Sequence, residues 1–188
     1  MKILHLSDPH INSDILYKID AQSRFKLALK HIINNHSDAD ILIITGDLTH
    51  YGNDESYKIF IKILEELELP DHLYPKLILG NHDNRENFKK NFPDIKTDQN
   101  GFVQYYENFG NKTFIFLDTN LAGTDEGHLC AQRQEWLINS LKRHKDDAKE
   151  VKEGLECGIG IVGVKKFQEG DIIEVYEIEK KKRKLILN

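Results

Sequence analysis

Along the N-terminal two-thirds of the 188-residue chain, short apolar runs alternate with longer stretches in which apolar residues recur every three or four positions. The short runs predict strands at 2–6, 41–45, 76–79 and 114–117. The longer stretches predict amphipathic helices at 21–34, 56–69 and 131–143. Because strands and helices alternate, the pattern predicts the α/β class, with a mostly parallel sheet covered by helices on both faces.

The pattern changes after about residue 142. Glycines at 154, 158, 160, 163 and 170 stand among single apolar residues, and positions 172–178 alternate between apolar and polar. This alternation predicts a half-buried strand in a short β segment that does not continue the strand–helix pattern. We therefore predict two domains, 1–141 and 142–188, with the boundary between Asn139 and Lys145.

Composition and charge narrow the functional classes. Hydrophobic residues make up 39% of the chain, enough for a packed core, and the formal net charge is −5. Residues 141–188 carry 12 basic and 10 acidic side chains, a net charge of +2, which leaves −7 on residues 1–140. An acidic body of this kind argues against a general nucleic-acid binder, which needs clustered positive charge.

The lack of a recognisable targeting signal and the pattern of cysteines both favour a cytoplasmic location. No apolar run approaches the roughly 20 residues that a membrane span needs, and the first residues are too polar for a signal peptide. Cys130 and Cys157 lack the short spacing of metal-binding cysteines. We predict that both are free thiols in a reducing, cytoplasmic environment, with no membrane partner.

Polar clusters follow three of the predicted strands. They are Ser7-Asp8-Pro9-His10, Gly46-Asp47-Leu48-Thr49 and Gly80-Asn81-His82-Asp83. Ligands bind beyond the carboxyl ends of strands in open parallel sheets, so we expect these clusters to meet in one crevice. Asp8 and His10, two positions apart, would point to the same side of an extended backbone. Glycines at 46 and 80 would let the chain turn sharply before each cluster.

The residue types in these clusters predict a divalent metal site. Carboxylate, amide and imidazole groups together favour Mn, Fe or Zn over Ca. The Asp47 carboxylate could bridge two ions, which would grip a phosphate ester and activate a water molecule for in-line attack. His82 would then stabilise the phosphoryl oxygens or protonate the leaving alkoxide.

With these motifs in place, residues 1 to about 140 resemble the calcineurin-like metallophosphoesterases, and within them the bacterial cyclic-nucleotide phosphodiesterase type. Further matching positions are Phe116-Leu117-Asp118-Thr119, Gly127-His128-Leu129, Gln134 and Trp136-Leu137. The resemblance implies one or two metal ions held by Asp8, His10, Asp47 and Asn81. It also implies that His82 is catalytic and that Asp83 orients His82.

The same resemblance predicts an incomplete site. That family supplies further histidines from a His-His-Pro-like strand end and a Gly-His-x-His segment, and this sequence contains neither motif. The chain would therefore be the N-terminal βα half of the family's sandwich, followed by the short β segment. The sheet face without its partner would expose apolar area, which a second copy of the chain could cover in a homo-oligomer.

Residues 145–188 resemble the C-terminal end of bacterial translation initiation factor two, the part that closes its last β-barrel. In this resemblance Cys157 and Gly158 match the lining of the pocket for initiator tRNA. The run Lys180-Lys181-Lys182-Arg183-Lys184 could attract RNA phosphates. The sequence leaves three functions open: a metal-dependent phosphoesterase for phosphomonoesters or phosphodiesters, cyclic nucleotides included, an RNA-binding module of translation, and an inactive fusion product.

Overall fold

The computed structural model of the chain describes residues 1–144. In chain order the elements are β1 (Ile3–Ser7), α1 (Ala21–His36), β2 (Ile41–Thr45), α2 (Asp54–Glu66), a 3₁₀ turn (Asp71–Leu73), β3 (Lys76–Ile78), α3 (Arg85–Asn91), β4 (Tyr105–Phe109), β5 (Lys112–Phe116) and α4 (Ala131–His144). None of these helices is both long and apolar enough to cross a membrane. Residues 145–188 lie outside the described residues. They contain most of the predicted second domain, including its strand at 172–178, Cys157 and the basic run.

Strands β1, β2 and β3 form the predicted parallel sheet, in the order β1-β2-β3. Ile3 of β1 stands opposite Ile41, and Ile43 of β2 stands opposite Lys76. The bounds of β2 are those predicted, because a short aliphatic run between two parallel neighbours is covered on both faces. The α/β class and the parallel sheet are confirmed.

Helices α1 and α2 cover one face of the sheet and form the larger core with it. Phe25 of α1 and Phe60 of α2 stack with ring centroids 5.1 Å apart. Both are buried in the cluster that contains Leu42 and Ile44 of β2. Burial of such side chains contributes about 1.5–3 kcal/mol each, so this cluster fixes how the helices lie on the sheet.

Both long helices begin at a side-chain cap. The Asp20 carboxylate accepts a hydrogen bond from the Ser23 N–H at 3.0 Å and starts α1. Asn53 caps α2 in the same way, so this helix begins two residues before its predicted start at 56. It ends at Glu66, before the predicted end at 69, because Glu68 has a positive φ of 45° that an α-helix does not contain.

The opposite face of the sheet packs against a hairpin rather than helices. Strands β4 and β5 pair antiparallel across a tight turn at Gly110, whose φ of +61° is that of a type II′ turn. Tyr105 and Phe116 stack at 4.6 Å and are buried together with Ile41. The prediction of helices on both faces is therefore wrong, and the strand predicted at 114–117 corresponds to β5 of this hairpin.

The same sheet face is open over β1. Ile3 is 47% exposed there, and His5 and Ser7 are exposed as well. Within residues 1–144 the predicted uncovered face is thus found at this edge strand. A homo-oligomer that covers it stays a prediction.

Candidate metal centre

Strands β1 and β2 continue side by side beyond the sheet, and this extension positions the first candidate residues. The His10 N–H donates to the Asp47 carbonyl at 2.9 Å, and the Ile11 N–H donates to the Leu48 carbonyl at 3.0 Å. Ligand atoms of Asp8, His10 and Asp47 lie within 4.8 Å of one another as a result. The structure thus brings together the polar residues that follow β1 and β2.

These three residues share an unusual backbone conformation. Asp8, His10 and Asp47 have φ values of 54°, 46° and 47°, in the left-handed region that residues other than glycine rarely enter. The expectation of an extended backbone at 8–10 is therefore wrong, and the side chains converge through turns. Strain of this kind costs about 1–3 kcal/mol per residue and is typical of functional sites.

Asp47 is the residue of this group that connects all three strands. Its side chain is nearly buried, and its Oδ1 accepts a hydrogen bond from the His82 N–H at 2.9 Å. Its Oδ2 lies 3.6 Å from His10 Nε2. The two oxygens therefore face residues that follow β3 and β1, and the bridging of two ions by this carboxylate stays a prediction.

Gly80 leaves the space that Asp47 occupies. A Cβ atom at position 80 would lie 2.2 Å from both the backbone nitrogen and the Oδ1 of Asp47. Gly46, in contrast, has a φ of +68°. The predicted sharp turn is found at Gly46, whereas Gly80 is required by the close approach of a neighbouring chain segment.

We expect Gly80→Ala to weaken Mn²⁺ binding at least about tenfold, because the added methyl group must displace Asp47. Calorimetric titration of the metal-free variant measures this affinity. Gly127→Ala is the matched control, since its Cβ would meet nothing closer than 3.8 Å. Equal affinities for the two variants would contradict the steric argument.

His82 and His50 extend the cluster on the other side of His10. The ring centroids of His10 and His82 are 4.8 Å apart, and the His50 and His82 rings stack at 5.0 Å. His82 Nδ1 lies 2.8 Å from the backbone carbonyl of His50 and donates its proton to that oxygen. His82 Nε2 is thereby left as the free nitrogen of the ring.

His50 is a residue of this site that was not predicted from the sequence. It directly follows the cluster at 46–49, and the bridge between Ile11 and Thr49 carries it to the site. Burial holds the pKa of His50 below its usual value, and the neighbouring rings of His82 and His10 lower it further. At pH 7 His50 is therefore a neutral imidazole, the form that binds cations.

Asp83 ties together the loops that follow β2 and β3. Its buried carboxylate accepts five hydrogen bonds: from the N–H of Leu48 (3.0 Å), the N–H and the hydroxyl of Thr49 (3.2 and 3.3 Å), the N–H of Gly80 (2.9 Å) and the hydroxyl of Tyr57 (3.0 Å). Burial raises the pKa of Asp83, and these donors oppose the rise. The His82 ring contacts the His50 carbonyl, and the hydrogen bonds of Asp83 join the loops after β2 and β3; the expected role of Asp83 in orienting His82 stays a prediction.

Asn81 lies within the loop after β3, and Asn120 contacts that loop from outside it. Asn81 is exposed, and its side-chain amide donates to the Asp125 carboxylate at 3.4 Å. Its predicted role as a metal ligand stays a prediction. Asn120, which no sequence motif indicates, donates from Nδ2 to the carbonyls of Gly80 at 2.7 Å and Asp83 at 3.0 Å. Asn120 therefore clamps both ends of the loop that carries His82.

Asp118 anchors this clamp. Its fully buried carboxylate accepts two hydrogen bonds from Arg85, at 2.6 and 2.8 Å, and one from the Asn120 N–H at 3.0 Å. Arg133 Nη1 lies 3.5 Å from the same carboxylate. Both guanidinium groups lie over the Phe102 ring, at 5.2 and 4.5 Å from its centroid. The segment after β5 is thus joined to the loop after β3 through a buried charged network.

A cavity of about 480 Å³ opens beside the cluster. Asp8, His10 and His50 contribute to its lining, together with Arg24 and several apolar side chains. Pockets for small ligands measure about 300–1,000 Å³, so this cavity can receive a small organic molecule next to the ligand atoms.

The donor set fits a divalent metal ion. Two carboxylates and one imidazole suit ions such as Mn, Fe or Zn. Asp8 is exposed and His10 half-buried, so their strained backbone is not explained by core packing. Ligand atoms held in place at the expense of backbone strain indicate a binding site.

Comparisons with known proteins agree with this geometry. A model of the family described as calcineurin-like phosphoesterase matches residues 1–157. The chain is 36% identical over 145 residues to a probable cyclic nucleotide phosphodiesterase of Rhodopseudomonas palustris. The alignment covers 75% of this chain and 52% of that protein. It is 32% identical over 151 residues to a probable glycerophosphodiester phosphodiesterase of Arcobacter nitrofigilis. This alignment covers 78% of this chain and 54% of that protein.

A second, shorter similarity is to a protein of translation and not to a phosphodiesterase. The chain is 59% identical over 46 residues to translation initiation factor IF-2 of Francisella tularensis, which covers 24% of this chain and 6% of that protein. The chain spans about half the length of the two phosphodiesterases that it matches.

Proposed function

The chain belongs to the calcineurin-like phosphoesterase family, and from this premise we propose that it is a metal-dependent phosphoric ester hydrolase. The family hydrolyses phosphate esters and uses divalent metals. The observation that carries the proposal for this chain is the convergence of Asp8, His10 and Asp47 beyond the ends of β1 and β2.

Asp8, His10 and Asp47 would hold the cation, and Asn81 would add an amide oxygen from the loop after β3. A divalent cation, when bound, neutralises charge on the phosphate ester and makes water a better nucleophile. Asp83 would keep the loops after β2 and β3 at a fixed separation through its hydrogen bonds to both. The ligands therefore need little rearrangement when the substrate arrives.

His82 would transfer the proton that the leaving group needs. Its Nδ1–H is occupied by the His50 carbonyl, so Nε2 is the atom that would carry a proton and release it to the leaving alkoxide. The backbone N–H of His82 donates to Asp47, which ties the position of this ring to the metal ligands. A ring fixed in this way can act on a substrate held beside the cation.

A small phosphodiester is the substrate class that the cavity supports best. Arg24 supplies a positive charge for an anionic part of the ligand, while Phe25 and Ala28 supply apolar surface for an organic substituent. The two relatives described above are named as phosphodiesterases for cyclic nucleotides and glycerophosphodiesters. Cyclic nucleotides are therefore the first substrates to test.

We expect the metal-free chain to be inactive and to hydrolyse bis(4-nitrophenyl) phosphate after Mn²⁺ is added, because the cation supplies the positive charge that the reaction needs. Release of nitrophenolate measures the rate, and elemental analysis of the same samples gives the number of ions per chain. A chelator should reverse the activation.

Two outcomes would contradict this proposal. One is a chain that takes up no Mn²⁺, which removes the metal site. The other is a chain that binds Mn²⁺ and cleaves neither phosphodiesters nor phosphomonoesters. A comparison of cyclic and linear diesters at equal concentration then tests the narrower substrate class.

The similarity to translation initiation factor IF-2 supports no second function for the described residues. The aligned part is between 5% and 18% of each initiation factor compared, too small a share for its activity to be transferred to this chain. The alternative of RNA binding through 145–188 concerns residues outside the described part.

A further inference from the structure

The imidazole rings of His10, His50 and His82 lie next to one another, with centroids 4.8–5.4 Å apart. His10 Nε2 lies 3.6 Å from the Asp47 carboxylate, whereas His10 Nδ1 lies 3.3 Å from His50 Nδ1. One ring nitrogen from each of His10, His50 and His82 lies within 4.8 Å of the other two. These rings form a second group of ligand atoms that shares only His10 with the carboxylate group.

The hydrogen bonds around these rings leave nitrogen lone pairs for a cation. His82 donates from Nδ1 to the His50 carbonyl, so the lone pair of a neutral His82 ring is on Nε2. If His10 carries its proton on Nε2, facing the Asp47 carboxylate, its lone pair is on Nδ1 and faces His50. A carboxylate beside the N–H of a metal-binding histidine is a common second contact in metal sites, and Asp47 Oδ2 lies 3.6 Å from His10 Nε2, just beyond hydrogen-bond distance.

The spacing of two of these nitrogens matches tetrahedral coordination. With metal–nitrogen bonds of about 2.0–2.1 Å, two ligands of a tetrahedral ion lie about 3.3–3.4 Å apart. The separation of 3.3 Å between His10 Nδ1 and His50 Nδ1 has this value; one ring donates a hydrogen bond to the other across it in the metal-free chain, and a bound cation would take the place of that proton. The wider separations, at most 4.8 Å, can close through rotation of half-buried rings.

We propose that His10, His50 and His82 form a second cation site, selective for Zn²⁺ and Co²⁺ over Mn²⁺. Three nitrogen ligands without a carboxylate favour the later divalent metals, whereas the group of Asp8, His10 and Asp47 contains oxygen ligands that Mn²⁺ accepts. His50 defines the new site, because it belongs to no other group of ligand atoms among residues 1–144.

Both sites use His10, and this sharing makes them compete. A neutral imidazole has one lone pair, so His10 can serve the carboxylate group through Nε2 or the imidazole group through Nδ1, but not both. A cation at the imidazole site therefore removes His10 from the first group. It also occupies His82, the ring to which the proposed function assigns the proton transfer.

Co²⁺ is the probe for this site, because its visible absorption reports the number and type of its ligands. The metal-free full chain is titrated with Co²⁺ and, separately, with Mn²⁺ by calorimetry. We expect His50→Gln to lower the Co²⁺ affinity at least about tenfold and to leave the Mn²⁺ affinity within about twofold. The substitution keeps the backbone carbonyl that orients His82.

Two further variants make the result specific. His72→Gln changes an exposed histidine on the 3₁₀ turn and should bind Co²⁺ as the parent chain does. His50→Cys should retain tight binding and add a thiolate-to-Co²⁺ charge-transfer band in the near ultraviolet. Unchanged Co²⁺ affinity in His50→Gln, or an equal fall for Co²⁺ and Mn²⁺, would overturn the proposal.

The competition between sites gives a second test, which rests on the proposed function. Zn²⁺ should inhibit hydrolysis by the Mn²⁺-loaded chain, and inhibition should require at least about tenfold more Zn²⁺ in His50→Gln. An absence of hydrolysis would count against the proposed function, while the Co²⁺ titration would still decide the imidazole site. Equal inhibition of both proteins by Zn²⁺ would overturn the competition.

Discussion

Asp47→Asn should reduce Mn²⁺ affinity and phosphodiester hydrolysis together, each by more than about 100-fold. Changes in groups that merely contact a ligand cost about 10–100-fold in metal affinity or activity, so loss of the central carboxylate should cost more. Asp47 is the group that faces both His10 and His82, and it is nearly buried. The amide has the same shape and can keep the hydrogen bond from the His82 N–H.

Because the Asn side chain keeps the shape of Asp47, this variant distinguishes the effect of the lost charge on metal binding from an effect on folding. In the metal-free state, urea unfolding should show a free energy of unfolding close to that of the metal-free parent chain, while elemental analysis after Mn²⁺ loading shows the loss of metal. Asp71→Asn, an exposed change on the 3₁₀ turn, should alter neither property. Full metal occupancy in Asp47→Asn would mean that the ion is held elsewhere.

Asp118→Ala should lower the free energy of unfolding by about 3–5 kcal/mol, because removal of one partner leaves buried charges without compensation. The Arg85 guanidinium loses two hydrogen bonds, and Arg133, which is 3% exposed, loses its nearest carboxylate. Domains are stable by about 5–15 kcal/mol, so a loss of this size can leave part of the chain unfolded at room temperature.

A double variant tests that explanation. If uncompensated charge is the cause, adding Arg133→Met to Asp118→Ala should recover part of the lost stability instead of adding a second loss. Asp94→Ala, an exposed change, should stay within about 0.5 kcal/mol of the parent chain. Additive losses in the double variant would show that packing, and not charge, explains the effect.

The Asp118 network also predicts a weaker metal site. Asn120 holds the carbonyls of Gly80 and Asp83, and its own N–H is held by Asp118. Loss of the carboxylate should therefore loosen the loop after β3 and lower Mn²⁺ affinity in the molecules that remain folded. A folded fraction with unchanged affinity would show that the loop is fixed without this contact.

The sheet and the position of the site could be predicted from the sequence. Aliphatic runs such as residues 41–44 are short and bounded, and the parallel strands could be predicted from such runs with correct bounds or small errors. The carboxyl ends of parallel strands meet at one edge, so Asp8, His10 and Asp47 could be assigned to one place. These inferences depend on local pattern and on a rule of topology.

Other features depend on contacts that the local pattern does not contain. Helix α3 has seven residues and one buried side chain, Phe88, which is too short for periodicity to indicate. Strand β4 mixes polar and aromatic residues, and its place is fixed by packing of Tyr105 on the sheet. His50 and Asn120 reach the site through the β1–β2 extension and the Asp118 network, which only the folded chain shows.

The left-handed conformation of Asp8, His10 and Asp47 affects what a measured affinity means. Folding holds these residues in place before any ion arrives, through hydrogen bonds such as that from the His10 N–H to the Asp47 carbonyl. The conformational entropy of the ligands is therefore lost during folding and not during binding. The free chain is preorganised for its ion, at a cost to its own stability that the occupied protein recovers through mass action.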